Sequence, residues 1–485
     1  MITALGAIEL SEAIRARRVS CREAMLAYLA RIDAVNASFN AIVSLRDPQA
    51  LLAEADARDA ELARGAWRGW MHGLPHAVKD LAATAGLRTT LGSPLLADAV
   101  PARDAFFVSR IRAAGAILVG KTNVPEFGLG SHTYNAVFGA TLNPYDRSRS
   151  AGGSSGGAAA ALAARLVPVA DGSDMMGSLR NPAAFCNVLG FRPSPGVVPA
   201  GPGTEPYLQQ LSTDGPMART AEELLRLLST MAGREPRAPM SLPGDGAEFA
   251  ALAGEPSPGE RPLAGVRIGW LGDWDGALAF EPGVLEVCAG ALAVLESLGA
   301  AVEPIAPPAA PERLWQTWIA LRSTLVGGRL HAWWRDEALR ERMKPEARWE
   351  AERGEHAGAL AFYRASEARA AWHAAALDAF ERVDLMAAPA AQVFAFDAAQ
   401  PWPAEVGGRA MDTYHRWMEV VVAPSLLGAP TVALPAGFGG EHDLPMGIQL
   451  FGAPRADLAV LRAALAYDRA TRWAARRPPP EHGGA

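Results

Sequence analysis

The chain has 485 residues, of which 50% are hydrophobic and 20% charged, and a net charge of −6 at pH 7. That is enough apolar sequence for a substantial core, and it lacks the basic excess of a nucleic-acid-binding surface, so no nucleic-acid partner is expected. No apolar run reaches the roughly 18 residues of a membrane span, and residues 1–20 carry Glu9, Glu12 and several arginines where a secretory signal has an apolar stretch; a cytoplasmic protein with no membrane partner is expected. Three scattered cysteines, Cys21, Cys186 and Cys288, suit reduced packing residues rather than a disulfide framework.

Apolar residues at helical spacing predict two amphipathic helices within residues 7–35 and an alanine-rich third over 51–65. Residues 74–78 read as a buried strand with Lys79 and Asp80 at its end, where strands of α/β sheets present functional groups. Lys79 stands out because only three of the 46 basic residues are lysine: Lys79, Lys121 and Lys344. Arginine keeps its proton in a protein, whereas a buried lysine can lose it near neutral pH, so a base role at Lys79 would explain the choice of lysine there. Residues 115–122 (GAILVGKT) match the P-loop pattern by letter. A helix over 107–114 precedes them and the apolar run is itself the strand, the reverse of a P-loop, so nucleotide binding is rejected.

Residues 152–157 (GGSSGG) are too rich in glycine for a helix or strand interior and predict a loop with Ser154 and Ser155 at its tip. The alanine run 158–165 predicts a helix whose free N–H groups point back at that loop. Residues 166–170 read as a short buried strand, 171–178 as a second small-residue loop ending in Ser178, and Asn181-Pro182 as a helix stop. Folding back brings Ser154 and Ser178, 24 positions apart, to one point. Residues 152–156 also match the G-x-S-x-G nucleophile elbow. The preceding DRSRS is not a hydrophobic strand, and His331, His356, His373, His415 and His442 lie in no triad motif, so the elbow is rejected.

The GGSSGG loop followed by GSDMMGSLRNPA at 172–183, with GLPHAVKD at 73–80 upstream, resembles the signature of the amidase signature family of serine hydrolases. The resemblance implies a single large α/β domain over residues 1–485, a mixed twisted sheet surrounded by helices. Its parts would be a signature core at about 70–220, a variable tryptophan-rich region at about 235–420, and C-terminal strands and a helix at 421–475. It implies a Lys79, Ser154, Ser178 triad with Ser178 as nucleophile and Ser154, in a cis peptide, relaying the proton. Asp174 and Arg180 become a supporting ion pair, Ser155 a loop support, and Lys121 a structural residue.

A serine oxygen needs a neighbour to take its proton, which assigns Ser154 to that task and Lys79, kept neutral by burial, as terminal base. The backbone N–H groups of Met175, Met176, Gly177 and Ser178 are the candidate oxyanion donors. No metal or cofactor enters this chemistry. Met176 stands where the family usually has glycine or alanine. Either the oxyanion loop is reshaped, since a methionine does not freely take positive φ, or Met175 and Met176 line the pocket.

Residues 211–220 and a helix over 221–231 continue the family pattern, followed by a Pro/Gly-rich connection at 236–262. A strand at 266–271, a helix at 282–298 and a strand at 301–305 come next. Residues 314–373 are the least family-like and hold Trp315, Trp318, Trp333, Trp334, Trp349, Phe362, Tyr363 and Trp372. Trp315 and Trp318 are expected in the core, with a tryptophan-lined pocket or lid as the functional alternative. Apolar strands at 383–389, 428–437 and 444–452, a helix at 457–471 and a disordered tail at 476–485 complete the chain.

Gly128, Leu129 and Gly130, with Tyr134, Met175 and Met176, point to an apolar substrate pocket for a bulky acyl or aryl group. The expected activity is hydrolysis of amide-type C–N bonds, including amides, anilides, oligomeric or cyclic amides, carbamates and esters. The expected partner is a small-molecule amide substrate, and the assembly a monomer or homodimer. The alternative is the glutaminase subunit of a tRNA-dependent amidotransferase, completed by a partner protein. A more remote one is an inactive binding or scaffold member.

Overall fold

Eight strands drawn from residues 170 to 451 form one mixed sheet in the computed structural model, which describes residues 1–203, 205–208, 211–256 and 259–480. In spatial order they are Ala301–Pro304, Arg267–Trp270, Leu385–Pro389, Leu444–Phe451, Thr431–Gly439, Leu189–Arg192, Thr213–Ala218 and Ala170–Asp174. The first three pair in parallel and every later neighbour is antiparallel. The parallel pairs need crossovers, which the helix Val284–Ser297 and the helical segment 311–380 provide.

The central strands are buried on both faces because alternate side chains enter two different cores. Leu385 and Ala387 pack with the helices Ala221–Met231, Val284–Ser297 and Asp457–Thr471. Met386 and Ala388 face the opposite core, with the N-terminal helices, the alanine helix Gly156–Ala163 and Trp315 and Trp318. Both tryptophans are core residues, 1% and 0% exposed. The three cysteines are buried free thiols. No described helix is long and apolar enough to cross a membrane.

A second sheet of three strands holds Pro75–Lys79 parallel to Ile117–Thr122, with Ile42–Val43 antiparallel on the far side. An irregularity between His76 and Ala77 shifts the register just before Lys79. Asp171 ties this small sheet to the edge of the large one, accepting from the Lys79 N–H (3.1 Å) and meeting His76 Nε2 at 2.9 Å. The end of one sheet therefore meets the edge of the other at Lys79.

Most helices and strands fall where the pattern places them, and the departures cluster near Ser178. Residues 166–169 are not a strand; the strand is Ala170–Asp174, which keeps only the last residue of the expected strand and takes the first four of the expected loop. It pairs with Thr213–Ala218, and a Cβ on Gly172 would lie 2.5 Å from Leu179 and 2.8 Å from Ser155 Oγ. No branched residue fits there, so the usual strand signal is missing. The alanine helix starts at Gly156, inside the glycine loop. Pro182 does not stop a helix but sits in the first turn of Arg180–Phe185, where its missing N–H has no partner to lose. The connection 236–262 contains the helix Ala247–Gly254. Of the expected disordered tail, Arg476 ends the helical turn Trp473–Arg476, and residues 481–485 lie outside the described residues.

Candidate active site

Lys79 is 1% exposed, and its Nζ lies 2.9 Å from Ser154 Oγ, 2.7 Å from Ser155 Oγ, 3.0 Å from Ser173 Oγ and 3.2 Å from the Ser173 carbonyl oxygen. A neutral amine has two hydrogens and one lone pair, so it donates to two of these oxygens and accepts from one hydroxyl. Burial pulls Lys79 down to about 7, against the fields of Asp214, Asp171 and Asp174, so the neutral form is available near neutrality.

Ser154 follows a cis peptide bond from Gly153, as the resemblance implied. Its loop is stitched to the second one where the Ser155 N–H donates to the Ser178 carbonyl (3.3 Å). Ser178 is 7% exposed, and with Ser154 it opens into one cavity of about 1110 Å³. Lys79, Ser154 and Ser178 are thus gathered in one place, and no histidine or carboxylate is hydrogen-bonded to Ser154 among the described residues, which leaves the elbow reading without a base.

The loop bearing Ser178 is shaped around Asp174. Its carboxylate accepts from the Gly177 N–H (2.8 Å), the Leu179 N–H (3.1 Å), and Arg180 Nε and a terminal nitrogen (3.0 Å each), with Arg192 at 3.6 Å. Burial works against the Asp174 charge, but the guanidiniums of Arg180 and Arg192 and the Leu179 N–H outweigh it and hold the carboxyl well below its usual range. The positive φ of this loop falls on Gly177 (+80°) rather than on Met176, so the methionine needs no unusual backbone. The Gly177 N–H, expected as an oxyanion donor, is instead turned to Asp174. Met175, Met176 and Ser178 keep backbone N–H groups with no partner among the described residues.

Gly128, Leu129, Gly130, Met175 and Met176 line the cavity as expected, together with Phe127 and the helix Pro311–Trp334. Tyr134 does not: its hydroxyl donates to Glu346 (2.9 Å) and its ring lies 5.2 Å from Lys344 Nζ, outside the cavity wall. Of the aromatics in 314–373, Trp333 reaches the cavity and stacks on Phe127 with ring centroids 5.1 Å apart. Lys121 is structural, donating to the Ala82 carbonyl (2.6 Å) and Thr84 Oγ1 (2.8 Å).

Four residues absent from the sequence reading of the pocket or triad complete the site. Ser173 touches Lys79 directly. Arg322 donates through Nε to Glu350 (2.5 Å) and through a terminal nitrogen to the Tyr414 hydroxyl (2.8 Å), and its other end faces Met175 Sδ at 3.4 Å. Asp214 sits directly across the strand pair from Ser173, and burial with the neighbouring Asp171 pushes its carboxyl up to about 7, against Lys79 and Arg329. Arg329 opens into the same cavity. A carboxylate inside an apolar strand, Asp214 before Gly215-Pro216, was the one available sequence signal.

Comparison with known proteins agrees with this geometry. The Amidase family model matches residues 23–461. The glutamyl-tRNA(Gln) amidotransferase A subunit of Ralstonia nicotianae is 37% identical, with 97% of this chain and 98% of that protein aligned. Among solved structures, a bacterial aryl acylamidase of the amidase signature enzymes superposes with a TM-score of 0.89 at 27% identity, over 97% of each chain. The glutamyl-tRNA(Gln) amidotransferase A subunit of Thermotoga maritima gives 0.74 at 26% identity, over 97% of this chain and 95% of that one. With a match across nearly its whole length and the fold to go with it, the chain belongs to the amidase signature family, enzymes that hydrolyse amide C–N bonds.

Proposed function

We propose that the chain cleaves its amide through an acyl-enzyme on Ser178, and that the amide is that of glutamine, in the manner of a glutaminase subunit. The observation that carries the chemistry is the buried contact of Lys79 Nζ with Ser154 Oγ, opening onto Ser178 in one cavity. As Ser178 Oγ attacks the carbonyl carbon, its proton passes to Ser154 and the Ser154 proton to neutral Lys79. The N–H groups of Met175, Met176 and Ser178, unpartnered among the described residues, then meet the charge growing on the carbonyl oxygen, a contribution of roughly 10²–10³ in rate per donor. The relay returns the proton to the departing nitrogen, and water then releases the acid from Ser178.

The glutamine reading is favoured by the end-to-end likeness to amidotransferase A subunits at 35–37% identity. Such a component works beside other chains, so this reading carries a protein partner as well as the small-molecule substrate. The second reading, hydrolysis of bulky apolar amides or anilides by a monomer or homodimer, is favoured by the size of the cavity, by Phe127, Leu129, Met175, Met176 and Trp333 on its wall, and by the higher TM-score to the aryl acylamidase. Turnover of glutamine, p-nitroacetanilide, an aryl carbamate and a p-nitrophenyl ester by wild type and by Ser178→Ala, Ser154→Ala and Lys79→Ala tests both. Ammonia from glutamine with silence on the anilide supports the first reading, the opposite pattern supports the second, and undiminished activity in Ser178→Ala sinks the mechanism.

A further inference from the structure

Pro75–Lys79 is an outer strand of the three-stranded sheet, with Ile117–Thr122 on one side and no strand on the other among the described residues. On that open side the Lys79 N–H finds Asp171 Oδ2 (3.1 Å), where a neighbouring strand would supply a carbonyl. The other oxygen, Oδ1, meets His76 Nε2 at 2.9 Å, and both side chains are fully buried. A carboxylate accepts, so the imidazole hydrogen on this side sits on Nε2 and donates, while Nδ1 has no partner among the described residues. Asp171 and Ser173 stand two apart on the strand Ala170–Asp174 and so share one face. Ser173 holds the Lys79 amine, with Oγ at 3.0 Å and its carbonyl oxygen at 3.2 Å from Nζ, while Asp171 holds the same residue's main chain. One strand face thus grips the lysine at both ends.

The amine itself touches only hydroxyls and a carbonyl, so the charge it meets comes from three carboxylates: Asp214, Asp171 and Asp174. They are not equivalent. Asp174 is paired with Arg180 and Arg192. Asp214 is pushed up to about 7 by burial and by Asp171, so near neutrality it is charged in only part of the molecules. Asp171 has two donors on its oxygens and no lysine or arginine in an ion pair with it among the described residues. Lys121, on the neighbouring strand, also feels Asp171, but it answers first to Asp80, and its amine is bonded to the Ala82 carbonyl and Thr84 Oγ1.

We infer that His76 and Asp171 are positioning residues for the terminal base: His76 holds Asp171, and Asp171 fixes the Lys79 main chain and keeps a negative charge near its amine. The inference rests on the proposed proton relay to Lys79 and is indifferent to which amide is the substrate. Burial alone makes a lysine a weak base that is always free, whereas a nearby negative charge makes it a stronger base that is free only above a set pH. The pair therefore sets the pH at which the relay switches on.

The test is the pH dependence of Ser178 labelling by a fluorophosphonate, in which the serine oxygen displaces fluoride from phosphorus as its proton passes to the base. In Asp171→Asn the acid limb is expected to move to lower pH by about one unit. It should move further in Asp171→Asn/Asp214→Asn, where Asp214 cannot make up the lost charge. His76→Phe, which strips Asp171 of a donor, is expected to move the limb the same way, and His76→Gln, whose amide N–H can still donate, to leave it at the wild-type pH. A pair that is only structural would lower the labelling rate by one factor at every pH. Acid limbs unmoved in Asp171→Asn and in the double variant overturn the inference while leaving the Ser178 chemistry intact, and labelling that survives Ser178→Ala overturns the relay itself. Should Asp171→Asn fail to fold, the contrast between His76→Phe and His76→Gln decides.

Discussion

The two serine loops and the helical wall facing them are built on different terms. Around the triad the side chains are small, and contacts with the backbone of neighbouring segments set position: Asp174 shapes a loop, Asp171 joins two sheets, and Lys79 reaches three hydroxyls. In the helical segment 311–380 long side chains hold one another, as in Arg322 with Glu350 and Tyr414. Buried polar atoms without a hydrogen bond among the described residues occur on both sides: Trp318 Nε1, Ser323 Oγ and Glu350 Oε2 in that segment, and His76 Nδ1 and Arg192 Nε beside the triad. Loops placed by contacts with neighbouring backbone tolerate little change, whereas a wall held by side chains on other side chains can be rebuilt around a new substrate. On the mechanism proposed above, the chemistry belongs to the first and selection to the second.

Substitutions sharpen that contrast. Ser178→Ala should lower kcat by roughly 10⁴–10⁶ on every amide while leaving the melting temperature nearly unchanged, as read by single-turnover kinetics and calorimetry. Arg322→Met strands the fully buried Glu350 carboxylate, and loss of about 3–5 kcal/mol is expected in urea denaturation. Gly157→Ala places a methyl 2.3 Å from the Asn123 nitrogen and 2.6 Å from its carbonyl oxygen, so a loss of about 3 kcal/mol is expected from overpacking alone. Because burial lowers Lys79 to about 7, and on the proposed mechanism the neutral amine is the base, kcat/KM should fall about tenfold per unit of pH below that value and level off above it. Asp214→Asn removes a field that raises the Lys79 value, so the acid limb should move to lower pH. The smallest effect belongs to the wall: Trp333→Ala loses its stacking on Phe127 and should raise KM for an aryl amide about threefold to tenfold with kcat little changed. A Trp333→Ala that lost kcat on all substrates would break the division between chemistry and selection.

The sequence made the triad loops legible because their chemistry needs rare choices: a lysine in an arginine-rich chain, and serines flanked by glycines. Asp174 and Arg180 could be named because both lie within six residues of one loop. The strand Ala170–Asp174 was hidden by that same smallness, since Gly172 and Ser173 pair without any branched residue to announce a strand. Arg322 and Arg329 were invisible for the opposite reason. They are two arginines among many: Arg322 is distinguished only by its burial against Glu350 and Tyr414, and Arg329, exposed, only by lying at the cavity rim. Tyr134 was drawn into the pocket by nearness in sequence to Gly130, but the turn between them sends it to Glu346.

The helix Gly156–Ala163 has every residue buried, and Gly157 lies against the chain at Asn123. Its glycines and alanines are therefore demanded by packing, independently of what Ser154 and Ser178 do. A duplicated copy of this gene that lost its nucleophile would still have to keep GGSSGG-like spacing to fold, so pseudoenzymes descended from such a chain should carry an almost intact signature, and Lys79 and Ser178 are the positions at which to look for them.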